Sequence, residues 1–461
     1  MPAYAPRTGF TAAPPVPARW PHGPRRAAVL WRGKTARATA LICLLALSGA
    51  VILAMVREQT GTQGFLVGLG LAVFPVPLLV AAFCWLDRVE PEPWRNLAFA
   101  FAWGACAATL LAILANGFAT DWLAGNLSTS PADAETWGAA VVAPVVEESV
   151  KAVAVLLLFL FRRRDFRGIT DGIVVAGISA TGFAFTENVL YLGNAFGEDQ
   201  NMGHTGLDSY TAGTFFVRII MSPFAHPLFT ILTGLAFGIA ATHYPNRRSL
   251  RVALPIVGLL TAILLHSIWN SAANLGQNGF LGGFAFLTVY GLFMVPVFAT
   301  LTWLAIWIRH RDLLSLRTHL LPYVTTGWLA PTDPLSLSSF KTRSTARALA
   351  RHAYGPDAAR AVTTYATTAT TLAFLRHRAR RRGPGPDFAA REHQLLQRLW
   401  QHRPVAEAAL GQALWLTRRG VYGPGAYPVG HPAYGGTHHL YGGPHQPYGG
   451  PGYPYGPYGR G

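Results

Sequence analysis

Eight stretches of the chain are predominantly apolar, at 38–56, 65–86, 97–118, 137–161, 171–195, 214–242, 252–273 and 280–308. A helix needs about 20 such residues to cross a hydrocarbon layer, so the pattern predicts eight membrane-spanning helices. The segments between them give the direction, because Lys and Arg collect in cytoplasmic loops. Residues 1–37 hold seven basic residues and no acid. The 162–170 loop carries Arg162, Arg163, Arg164 and Arg167, and the 243–251 loop carries Arg247, Arg248 and Arg251. Arg309, Arg311 and Arg317 follow the last stretch, whereas 119–136, 196–213 and 274–279 contain neither Lys nor Arg. Eight crossings put every basic segment and both termini on the cytoplasmic side of a plasma membrane. The 87–96 loop, DRVEPEPWRN, is mixed in sign.

Composition agrees with this reading. Of the 461 residues, 51% are hydrophobic and 13% charged, and mean hydropathy is +0.28. A soluble domain carries about 25% charged residues, so an ordinary soluble enzyme and a disordered chain are both excluded. The net charge of +17 suits loops on an anionic membrane face better than nucleic acid, and no nucleic-acid partner is expected. Cys43, Cys84 and Cys106 all fall in apolar stretches and form no CxxC pair. Neither a disulfide framework nor a cysteine-based zinc site is predicted.

Beyond 308 the character changes. Residues 309–420 hold 18 basic and 6 acidic residues. Helices are expected over about 342–381 and 387–419, broken at 383–386, forming a basic cytoplasmic extension that contacts anionic lipid or a cytoplasmic partner. From 421 onward the Tyr/Gly/Pro repeats offer too few apolar side chains for a core, so that tail is expected to be disordered, as is the N-tail 1–37. The expected fold is thus an all-α polytopic membrane helix bundle over 38–308 with two appendages. The extension and tail are expected to be dispensable for chemistry, so truncation after about Leu320 should leave it intact.

Several polar residues lie where lipid should be. An ionisable side chain inside a span is costly and usually faces a protein interior with work to do. The 137–161 stretch contains Glu147, Glu148 and Lys151. Glu147 and Lys151 are four apart and share a helix face, and Glu148 is three from Lys151, so one carboxylate can neutralise the lysine and leave the other for chemistry. The 171–195 stretch contains Glu187 and Asn188, with Gly172, Gly177 and Gly182 recurring every five residues. His226 lies in 214–242, followed by Pro227, which is expected to free a backbone carbonyl one turn earlier. His266 lies in 252–273 with Asn270 at i+4. Counted from the ends of their stretches, Glu147, His226 and His266 reach a similar depth. Carboxylates, imidazoles and a carboxamide at one depth can activate water and hold an oxyanion. They can also ligate a metal.

In order along the chain, EESVK at 147–151, FAFTEN at 183–188, HPLFT at 226–230 and HSIWN at 266–270 resemble the four motifs of PrsW-type intramembrane proteases. Those proteases belong to the superfamily of prenyl-CAAX proteases and bacteriocin-processing or immunity proteins. The EPEP at 90–93 fits the same type, and the resemblance spans roughly 65–308. It implies an endopeptidase that cuts a membrane-associated protein, such as an anti-sigma factor. It implies Glu147 as the base that activates water, beside Glu148, and His226 as the group that positions that water or binds metal. His266 and Asn270 would polarise the scissile carbonyl, and Glu187 and Asn188 would support the site, with Lys151 as counter-ion. Glu147, His226 and His266 form a possible zinc set, and water activation without metal stays open. Two other classes share these residues: a proton-coupled transporter or channel, and an immunity-type scaffold without turnover.

Overall fold

The computed structural model describes residues 33–418 except 127–129, 163–165, 167, 245 and 277–278. The tail from 421 and all of the N-tail before residue 33 lie outside the described residues. Every described element is helical. The chain runs through α1 (Lys34–Ala72), α2 (Val76–Leu86), α3 (Trp94–Ala102), α4 (Thr109–Asn126), α5 (Pro131–Trp137) and α6 (Ala143–Phe161). It continues through α7 (Ile169–Met202), α8 (Tyr210–Phe215), α9 (Ala225–His243), α10 (Arg248–Gly276), α11 (Gly279–Val289) and α12 (Val295–Thr325). A further group follows: α13 (Asp333–Leu337), α14 (Phe340–Arg382) and α15 (Phe388–Arg418).

Among the described residues, six helical stretches are long and apolar enough to cross a membrane. The first, Thr35–Leu86, is 52 residues long and takes in two of the expected stretches. No loop separates them. A single residue, Gly61 at φ 72° and ψ 166°, bends the helix, a backbone conformation that a side chain would strain. After the bend the chain runs antiparallel to α7, with Gly64 and Gly68 against Gly193 and Val189, and Phe83 against Gly177. The expected 137–161 stretch is not among the six, because Glu147, Glu148 and Lys151 dilute it. It is nonetheless helical, through α5, a π-helical turn (Gly138–Val142) and α6.

The buried helix α7 organises the bundle. Five residues advance a helix by about 500°, or 140° beyond a full turn, so Gly172, Gly177 and Gly182 face three different neighbours. They meet Gly234 of α9, Phe83 of α2 and Phe101 of α3. Without a hydrophobic drive inside lipid, such close backbone approach is a main source of association. Gly104 makes the closest approach from the other side: a Cβ there would lie 1.9 Å from the Ser179 carbonyl oxygen. Gly104→Val is therefore expected to cost about 1–3 kcal/mol by overpacking, read as a lower unfolding midpoint in detergent, while Gly70→Ala, with open space around it, should cost less.

Among the described residues, four π-helical turns interrupt the spans. Backbone groups in hydrocarbon must find partners inside the protein, and three of the turns borrow a side chain from another helix. The Thr186 hydroxyl donates to the Ala105 carbonyl at 2.8 Å, the Asn270 amide to Ala139 at 2.9 Å, and the Tyr290 hydroxyl to Met221 at 2.7 Å. The widened turns thus tie neighbouring helices together around α7.

The extension folds differently from the two helices expected. Gly355 (φ 82°, ψ −172°) reverses α14 just before Pro356. The Arg343 guanidinium consequently reaches the Thr370 hydroxyl, 27 residues away, at 2.9 Å. The two arms pack with α13, α15 and the end of α12 around Leu316, Leu320, Tyr323 and Tyr365. Val89 of the EPEP-bearing loop belongs to the same core, and Arg378 lies 3.9 Å from Glu90. Truncation after Leu320 would cut through this core rather than beside it.

Candidate active site

Four helices bring the polar residues together. α6 supplies Glu147, Glu148 and Lys151, which are buried at 6%, 0% and 0% exposure. α7 supplies Glu187 and Asn188, α10 supplies His266, and α9 supplies His226 from its first turn. That last placement corrects one expectation. The sixth stretch is not a continuous helix kinked by Pro227: it ends in a π-helical turn (Phe216–Met221), breaks at 222–224 and restarts at Ala225. Pro227 sits in the first turn of α9, where its missing N–H costs no helix bond. The positive end of the α9 dipole therefore meets the carboxylates within the bundle, which favours their negative charge.

Lys151 is the hub. Its ammonium donates to Glu147 Oε2 at 3.2 Å, to Glu148 Oε1 at 2.9 Å and to His226 Nδ1 at 3.1 Å. All three of its N–H bonds are thereby used, and the Phe183 ring covers it at 4.0 Å. The lysine thus serves both carboxylates, not one as the spacing suggested.

Glu148 is saturated. Oε1 takes Lys151 and the His266 Nδ1 at 3.0 Å, and Oε2 takes the Thr230 hydroxyl at 2.7 Å. Glu147 differs: its Oε1 makes no hydrogen bond among the described residues, and its Oε2 lies 3.9 Å from His266 Nε2. Of the two carboxylates, Glu147 is therefore the one with an oxygen left unbonded among the described residues. On the far side, His226 Nε2 lies 2.6 Å from Glu187 Oε2. The two imidazole rings meet edge-on with centroids 5.2 Å apart.

Of the expected site residues, Asn270 faces elsewhere and Asn188 meets the cluster through Arg218. The Asn270 amide binds the Ala139 carbonyl, and Asn188 Oδ1 accepts from the Arg218 guanidinium at 2.8 Å. Sequence reasoning passed over Arg218, although a lone Arg in the apolar run FFVRIIM carries the same signal as the other charged span residues. It also gave no role to Thr230, the last residue of HPLFT, or to Phe183, the first of FAFTEN.

The suitability of these residues for a metal turns on their free atoms. Each histidine spends one ring nitrogen on a carboxylate, His266 on Glu148 and His226 on Glu187, which is how zinc-binding histidines are commonly oriented. That leaves His266 Nε2, His226 Nδ1 and the Glu147 carboxylate as available ligands, and one atom from each residue lies within 4.8 Å of the others. The set fits three protein ligands with an open position. The Lys151 contact to His226 Nδ1 would have to yield to such an ion.

A helical membrane bundle with carboxylates and imidazoles converging inside it has the makings of an intramembrane hydrolase. Comparison with known proteins agrees. Residues 92–301 match the PrsW family of intramembrane metalloproteases. Over 200 residues the chain is 28% identical to the protease PrsW of Clostridioides difficile (strain 630), covering 42% of this chain and 75% of that protein. No solved structure matches. Over 92–301 the chain is thus similar to PrsW-type proteases, and these matches support an intramembrane protease. The transporter and scaffold readings are not favoured.

Proposed function

We propose that the protein is an endopeptidase of the plasma membrane that cuts a single-span protein, of the anti-sigma-factor kind, by water activated at Glu147. The observation that supports this most is the asymmetry of the two adjacent carboxylates. Glu148 is fully bonded and holds Lys151, His266 and Thr230 in place. Glu147 keeps Oε1 unbonded among the described residues, and its Oε2, held by Lys151 at 3.2 Å, lies 3.9 Å from the free Nε2 of His266. Glu147 takes the proton of the attacking water, and His266 Nε2 accepts from that water and fixes its direction. Glu187 holds the proton of His226 on Nε2, so Nδ1 faces the cluster. A zinc ion bound by Glu147, His226 and His266 would supply Lewis acidity to the same water. Asn270 acts by anchoring the π-helical turn ahead of α6, in place of the oxyanion role that the motif implied.

The location of the site bears on the substrate. We infer eight crossings, with the basic loops and both termini cytoplasmic. Glu147 lies 14 residues from the basic-loop end of α6, Glu187 and His266 each lie 18 from theirs, and His226 lies 17 from the end of α9. At 1.5 Å per residue these positions are about 21–27 Å from that face. In a hydrocarbon layer of about 30 Å the site lies in the half away from the basic loops.

The test is cleavage in reconstituted membranes. Purified chain is incubated with a panel of single-span anti-sigma-factor substrates. The expected outcome is a discrete product from at least one substrate with wild type. Proton flux without a product from any substrate would overturn the reading.

A further inference from the structure

We propose that Arg218 is a positioning residue of the cleavage reaction, acting through Glu187 to fix His226; this rests on the hydrolytic reading above. Arg218 stands on the π-helical turn Phe216–Met221, just before the chain breaks and restarts as α9. Its Nη2 donates to Glu187 Oε2 at 2.5 Å and its Nε to Asn188 Oδ1 at 2.8 Å. The Tyr191 ring covers the guanidinium at 4.0 Å. Glu187, Asn188 and Tyr191 are successive, then one turn apart, on α7. They grip the planar group by its edge and its face together, a geometry that lysine cannot reproduce.

The oxygen that Arg218 holds is the one that His226 uses. Glu187 Oε2 is shared between the guanidinium at 2.5 Å and His226 Nε2 at 2.6 Å. A carboxylate held by only one partner can turn about its terminal bond, whereas held by two it cannot turn without breaking one contact. Arg218 thus sets the azimuth of Glu187, Glu187 sets the ring plane of His226, and that plane aims Nδ1 at Lys151, 3.1 Å away. Arg218 stands before the break and His226 after it, and Glu187 of α7 joins the two; the break is what lets His226 enter at a helix start. The Arg218 side chain keeps 22% of its surface exposed and Glu187 keeps 14%, so the pair lies at the open edge of the cluster. An arginine inside a span is costly, and partners that orient an active-site histidine typically matter 10- to 100-fold.

The test uses the full chain and whichever single-span substrate wild type cuts. Arg218→Ala is expected to lower kcat by about 10- to 100-fold, by the scale seen for such orienting partners, with KM within about threefold. Guanidinium ion at millimolar concentration should restore part of the lost kcat in this variant and none in Glu187→Gln. Arg218→Lys should fall between Ala and wild type and serves if the alanine variant does not fold. A folded Arg218→Ala or Arg218→Lys protein with wild-type kcat would overturn the proposal, as would a change in KM alone. Absence of cleavage by wild type would count against the hydrolytic reading instead.

Discussion

Lys151→Ala is expected to lower the stability of the bundle by about 3–5 kcal/mol, the scale for removing one partner of a buried ion pair. The lysine is fully buried and its ammonium is shared among Glu147, Glu148 and His226. Truncation leaves two adjacent carboxylates with no cation between them and opens a void beneath the Phe183 ring. Chemical unfolding in detergent, followed by helix content, should show the loss. Lys151→Met combined with Glu148→Gln should recover a large part of it, because one charge and its counter-charge leave together. An unchanged unfolding midpoint in Lys151→Ala would mean that the ammonium does not hold the cluster.

Glu147→Gln is expected to act the other way, with little effect on folding and a large one on rate. Gln keeps the shape and can still accept at one oxygen from Lys151, but it cannot take a proton from water. General-base catalysis is typically worth about 10²–10⁴-fold, so cleavage should fall by at least 100-fold while the unfolding midpoint stays close to wild type. Glu148→Gln should reverse that balance. Glu148 has three side-chain partners to lose, so the stability cost should exceed that of Glu147→Gln.

Much of this site is legible in the chain itself. Charged and imidazole residues inside apolar stretches stand out because hydrocarbon offers them nothing, and their counts from the helix ends already place them at a common depth. The five-residue glycine spacing of α7 marks a helix with close neighbours on several sides. Individual pairings are less legible, because they depend on rotation and on contacts distant in sequence. Lys151 and Glu148 are three apart, which periodicity can read. Lys151 and His226 are 75 apart, which it cannot. Pro227 is misleading for a related reason: its effect depends on whether a helix is already running, and here the helix begins two residues earlier. Gly61 and Gly355 show the reverse case, in which one residue at positive φ turns a helix where composition alone suggests a loop or an unbroken run. Arg218 was open to the same argument as Glu187, and only the structure shows that the two belong to one contact.

Glu147, His226 and His266 are proposed to form a single hydrolytic centre set toward the membrane face opposite the basic loops. The most direct measurement is the position of the bond that is cut. A single-span substrate, reconstituted in a known orientation with the purified chain, is digested and its fragments are weighed by intact mass spectrometry, with Glu147→Gln in parallel. The expected cut lies in the half of the substrate span away from the basic loops, or just beyond that end, with product at least 100-fold lower for Glu147→Gln. A cut near the basic-loop face, or one that persists undiminished in Glu147→Gln, would contradict the proposal.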